Sequence, residues 1–175
     1  MTEPFVDMLR GGHPNSLGRT GEVVELVLAE PARLPELFAG IDDPDPVVRL
    51  RVGDALEKVC REQPDWFVPD VERLLGDLGQ IEQPSVQWHV AQMLQHLRGG
   101  LSDDQVQRST ELLQRNLTTS SDWIVLNVTM DILVGWAEGD ADLATWLVPE
   151  LERLQHDPRP SVAKRAVRRR DELRG

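Results

Sequence analysis

Asp45-Pro46-Val47-Val48-Arg49-Leu50-Arg51-Val52-Gly53-Asp54-Ala55-Leu56 is the stretch on which the fold turns. Displaced by 38 residues it returns as Gln83-Pro84-Ser85-Val86-Gln87-Trp88-His89-Val90-Ala91-Gln92-Met93-Leu94. It returns again, three periods on, as Arg159-Pro160-Ser161-Val162-Ala163-Lys164-Arg165-Ala166. Val48, Val86, Ile124 and Val162 are each 38 residues apart, as are Val52, Val90, Val128 and Ala166, and Leu56, Leu94 and Ile132. A constant step of this size marks one supersecondary unit copied along the chain, each copy too thin to bury its own apolar face.

Outward from that stretch, prolines and glycines cut the chain into helical pieces, and no segment sustains a two-residue alternation. Residues 4–10, 17–29 and 34–40 read as three short helices. Residues 46–61 read as a helix with Val48, Val52, Ala55, Leu56 and Val59 on one face, spaced as threes and fours. Residues 66–78 read as its returning partner. Residues 84–97 repeat the outgoing helix, and Ser102-Asp103-Asp104-Gln105 is a capping box opening a return helix to residue 117. Residues 122–138 and 143–155 make the next pair, and 160–174 a final single helix.

The return helices carry a second register. Trp66-Phe67-Val68-Pro69-Asp70-Val71-Glu72-Arg73-Leu74 matches Trp146-Leu147-Val148-Pro149-Glu150-Leu151-Glu152-Arg153-Leu154 at an offset of 80, two periods plus four residues. Proline early in such a helix is tolerated because the amide it lacks has no partner there.

Helix pairs of this length opening with Asp-Pro-x-Val-Arg, here Asp45-Pro46-Val47-Val48-Arg49, resemble HEAT repeats. The resemblance covers residues 16–174, and the chain also looks like small prokaryotic HEAT-repeat proteins with no assigned activity. The signatures of tetratricopeptide and ankyrin repeats are missing, and the chain has no Tyr. The resemblance implies an all-α, right-handed α-α superhelix of about four hairpins with a C-terminal capping helix. It would be one domain over residues 1–175: an N-terminal helix and loop at 1–15, repeats over 16–158, and a basic cap at 159–175. It implies a binding scaffold and no catalyst.

Composition bounds the function. Thirty acidic and 19 basic side chains give a net charge of −11, which repels nucleic acid and anionic membranes unless cations are gathered locally. They are gathered at the end. Residues 157–175 hold Arg159, Lys164, Arg165, Arg168, Arg169, Arg170 and Arg174, leaving 27 acids and 12 bases elsewhere, a charge of −15. No apolar run approaches a bilayer span, and Met1-Thr2-Glu3-Pro4 does not open a secretory signal. Cys60 stands alone, which fits a reducing, cytoplasmic setting. The expected partner is another protein, with no membrane, metal or cofactor involved.

Equivalent positions of the repeats define columns. Leu50, Trp88 and Leu126 lie about 200° round the helix from the Val48 column, as in helices sandwiched between neighbours. Trp88 there reads as inter-repeat packing ahead of a stacking platform. Arg51, His89, Asn127 and Arg165 form a polar column; it is either a hydrogen-bonded ladder between repeats or the lining of a partner groove. On the return helices, Glu72, Arg73, Gln107, Arg108, Glu111, Glu152 and Arg153 are the candidate concave binding face. The last helix has Arg170 and Lys164 where earlier copies are apolar, either as a soluble end cap or as an anion site built on Arg168, Arg169 and Arg170.

Enzyme motifs are missing: no His-Glu-x-x-His, Cys-x-x-Cys or Gly-x-Ser-x-Gly occurs. Gly18-Arg19-Thr20 lacks the lysine, spacing and preceding strand of a phosphate loop. Acidic doublets such as Asp42-Asp43, Asp103-Asp104 and Asp140/Asp142 fall at expected helix starts, where carboxylates cap free amides. DNA glycosylases built of HEAT-like repeats offer a competing comparison through Asp122-Trp123 and Trp88, which the acidic body opposes.

Overall fold

The computed structural model describes residues 3–174; Met1 and Thr2, where a secretory leader was sought, and Gly175 lie outside them. Among the described residues every regular element is helical. The chain divides into two compact units, Met1–Leu101 and Ser102–Gly175.

The first unit contains α1 (Phe5–Leu9), α2 (Thr20–Ala29), α3 (Leu34–Ala39), α4 (Pro46–Glu62), α5 (Val71–Leu75) and α6 (Pro84–Leu97), with an irregular loop after α1 and 3₁₀ turns between the later helices. Its centre is α4. Pro46 stands in the first turn, where its missing N–H costs nothing, and the Asp45 carboxylate caps the Val47 amide at 2.8 Å. The most extensive helix contact in the unit is α4 with α6, and α2 packs on α4 as well. Alternate helices therefore lie side by side. Val48, Val52, Leu56, Val86, Val90 and Leu94 are all buried where they meet, each fully buried side chain contributing about 1.5–3 kcal/mol. Phe38 and Phe67 meet at 5.4 Å between ring centres.

The return segment of this unit departs from the continuous helix expected over 66–78. Pro64–Asp70 is 3₁₀, only Val71–Leu75 is α-helical, and Leu78–Gln80 is a further 3₁₀ turn. Pro69 can donate no hydrogen bond and its ring crowds the carbonyl four residues back. Gly76 and Gly79 then remove the helix preference on the other side.

The second unit contains α7 (Asp103–Thr119), α8 (Trp123–Trp136), α9 (Ala141–Leu154) and α10 (Pro160–Arg174). The capping box is formed as read: Ser102 Oγ accepts from the Gln105 amide at 3.2 Å, and Gln105 Oε1 accepts from the Ser102 amide at 3.1 Å. Asp122 caps Ile124 and Val125, and Asp140 caps Leu143. In the second return helix the sequence reading of the proline needs correcting. Pro149 sits inside α9, not at its start, and the helix runs on past the Thr145 carbonyl that loses its amide partner.

The phase of α8 also differs from expectation. Val162 and Ala166 on α10 are fully buried, as their equivalents Val48 and Val52 are. Ile124 and Val128 are only half-buried, and Val125, Thr129 and Met130 take the interior positions. The reason is enclosure: α8 packs against α7, α9 and α10 and is apolar nearly all round, so no single stripe sets its rotation.

The longest-range side-chain bonds within each unit join residues 30 to 42 apart. Arg159 donates to the Ser121 carbonyl and Arg169 to Asp131, both across 38 residues. Gln83 donates to the Pro46 carbonyl across 37 residues, and His96 pairs with Glu57 across 39.

Candidate functional site

The polar column separates into different roles. Arg51 is 1% exposed although it carries a full charge. Its guanidinium donates to four backbone carbonyls: Leu9 at 2.5 Å, Gly11 at 2.7 Å, Ser16 at 2.9 Å and His13 at 3.0 Å. Leu9 is the last residue of α1, and the other three acceptors lie in the loop between α1 and α2, whose Gly11, Gly12 and Gly18 have positive φ. A left-handed backbone turns successive carbonyls inward, and a planar five-donor fork satisfies several of them at once. Arg51 is thus an internal staple, and its side chain is withdrawn from any surface groove.

His89 is buried on α6 against Gly53 of α4; a Cβ on Gly53 would stand 2.9 Å from its Nδ1. No hydrogen bond joins His89 to Arg51, whose donors are spent on the loop, so these two neighbours in the column do not form a ladder rung. Burial holds the His89 imidazole below its ordinary pKa, with Asp54 and Glu57 pulling the other way. In the second unit Asn127 is buried, and its Oδ1 has no hydrogen-bond partner. Arg165 pairs with Asp131 of α8.

A charged cluster between α4 and α6 went unnoticed in the sequence. Asp54 pairs with Lys58 at 2.5 Å and lies 3.8 Å from His89 Nε2; Glu57, itself buried, meets His96 Nε2 at 2.9 Å. The cluster's trace in the sequence is Asp54 and Glu57 on one helix and His89 and His96 on another. Nearby Cys60 is a buried thiol whose pKa is pushed up to about 12 by desolvation, assisted by Glu57. It stays protonated and unreactive at neutral pH.

The return-helix residues differ in what their side chains touch. Arg73 on α5 lies with its guanidinium carbon 5.1 Å from the Phe38 ring centre, and Arg153 on α9 donates to the Leu117 carbonyl and pairs with Glu150. Both therefore contribute to packing. Glu152 pairs with Arg174 and Arg108 with Asp104. Glu72, Gln107 and Glu111 are exposed, the last two joined at 3.1 Å along α7.

The basic helix α10 divides similarly. Arg169 is fastened to Asp131 and Glu172, Arg170 to Gln155 and Asp171, and Arg174 to Glu152. Of the three arginines expected to hold an anion, only Arg168 projects freely, 61% exposed with Glu172 as far as 3.9 Å from its Nε. One turn earlier a groove of about 360 Å³ is lined by Ser161, Lys164, Arg165 and Arg168. Ser161 and Lys164 are the members that sequence reasoning did not assign to a site.

Among the described residues no group of three or more His, Cys, Asp or Glu side chains could hold a metal ion, and no helix is long and apolar enough to cross a membrane. Comparison of the chain with protein-family models, curated proteins and solved structures finds no match in any of the three.

Proposed function

We propose that this chain is a non-enzymatic interaction module: a right-handed α-α superhelix of HEAT type that binds a protein partner on its return-helix side. The observation that carries this reading is that side chains join elements about one repeat apart, with Gln83, His96, Arg159 and Arg169 each committed to a helix or loop 37 to 39 residues away. Charged groups used in this way tie neighbouring repeats together. Gln107 and Glu111, joined to each other on α7, are the exposed members that face solvent or a partner.

The test uses those open residues, because charge reversal at Arg73 or Arg153 would disturb packing as well as binding. In the Gln107→Glu/Glu111→Lys variant, a partner captured by the wild-type chain is expected to be lost, with helicity and thermal midpoint unchanged. Undiminished capture by the folded variant refutes the return-helix face as the binding surface.

A further inference from the structure

We infer that the groove on α10 is a binding site for a small multivalent anion, one carrying two negative groups within about two helical turns of each other. This rests on the local geometry of one helix and is independent of the scaffold reading. Ser161, Lys164, Arg165 and Arg168 line a volume of about 360 Å³, at the small end of the range typical of ligand pockets. They occupy positions i, i+3, i+4 and i+7 of α10, so their donors share one face over about 10 Å.

The four cations outside the groove are spent: Arg159 on Asp157, Arg169 on Asp131 and Glu172, Arg170 on Gln155 and Asp171, Arg174 on Glu152. Inside it, no carboxylate pairs with Lys164 among the described residues. Arg168 has only a distant one, and Arg165 is anchored by Asp131, which orients its guanidinium without using all its N–H groups. Two weakly compensated cations, an oriented guanidinium and a hydroxyl form a donor set that matches phosphate or carboxylate oxygens.

Charge decides the size of the ligand. The rest of the same unit, residues 102–156, holds ten acids and three bases, a charge of −7, and attraction to the groove is screened beyond about 8 Å at physiological salt. A long polyanion reaching past that distance meets the acidic body. A compact anion stays within the local positive field. Phosphorylated small molecules and polycarboxylates share this chemistry, and the two are told apart by the probes.

The experiment is calorimetric titration of the full chain with inorganic pyrophosphate, with citrate, and with a 20-nucleotide single-stranded DNA, at two salt concentrations. One of the two small anions should bind, and the tighter of them assigns the source as phosphate or carboxylate. Lys164→Ala and Arg168→Ala are each expected to weaken that binding by about tenfold, while Arg174→Ala, which removes the same charge outside the groove, changes it by less than about twofold. All three side chains are exposed, and an unchanged thermal midpoint checks the fold. Binding of neither small anion overturns the assignment. So does an equal loss in Arg174→Ala, and so does DNA binding tighter than pyrophosphate with a steep salt dependence.

Discussion

Replacing Arg51 with methionine keeps an unbranched side chain of similar reach and removes every guanidinium donor. Four carbonyls lose a charge-assisted partner, and bonds of that kind contribute about 1.5–3 kcal/mol each. They do not sum. Gly11, His13 and Ser16 are exposed residues, so their carbonyls can turn to water once the loop loosens. Leu9 is completely buried, and its carbonyl is left unsatisfied at a cost of about 1–3 kcal/mol. Against these losses, the variant no longer desolvates a guanidinium. The balance is a destabilisation of about 3 kcal/mol, which for a chain of this size lowers Tm by about 6–12 °C. Urea unfolding measures the free energy, and hydrogen exchange at residues 10–18 locates the loosening. Arg51→Lys should fall between the two, because an ammonium keeps the charge with three donors and no fixed fork. A free energy within about 0.5 kcal/mol of wild type in Arg51→Met, with unchanged exchange in the loop, would refute the staple.

Gly53→Ala is expected to destabilise by about 1 kcal/mol or more, since the added Cβ would meet His89 Nδ1 at 2.9 Å, an overpacking cost that exceeds the gain in helix propensity. Adding His89→Ala should recover part of that loss, and simple additivity in the double-mutant cycle would contradict the contact. His89 also predicts a pH dependence: burial sets its folded pKa below the ordinary 6.5, so the unfolded chain takes up this proton first. The stability linked to it is complete above about pH 6.5 and is lost as pH falls through the folded pKa. The charges of Asp54 and Glu57 on α4 offset part of this shift and that of Lys58 adds to it, and His89→Gln should flatten the urea-derived stability between pH 7.5 and 5.5 relative to wild type.

The helices that begin with proline were the most legible part of the chain. Pro46, Pro84 and Pro160 open α4, α6 and α10 as read, because a fixed φ and a missing donor restrict proline to that position. The Ser102 capping box was legible for a similar reason: its geometry is local. What failed was everything requiring knowledge of the surroundings. The rotation of α8 could not be read because a helix enclosed by three others has no polar side to orient it. Pro149 looked like a helix start by analogy with Pro69, but packing of Leu147, Leu151 and Leu154 carries α9 through it.

The candidate residues show the same limit. Arg51 was grouped with His89 because they share a repeat position, yet it is the glycine loop of the first unit that dictates its role, and no periodicity encodes that loop. On α10 the cluster of arginines was evident, whereas its division into paired and open cations depends on Asp131, Gln155 and Glu152 from other helices. The groove therefore lies one turn earlier than the arginine run suggested.

Glu62 and Gly100 in the first unit, and Trp123 and Ser161 in the second, are pairs of exposed residues one period apart, and the distance within each pair measures the repeat directly. With spin labels on cysteines at each pair in a Cys60→Ser chain, side-by-side hairpins predict equal 62–100 and 123–161 separations, each near the helix spacing of about 10 Å plus the label arms. Unequal separations in the two units would contradict copies of a single hairpin repeated at a constant step.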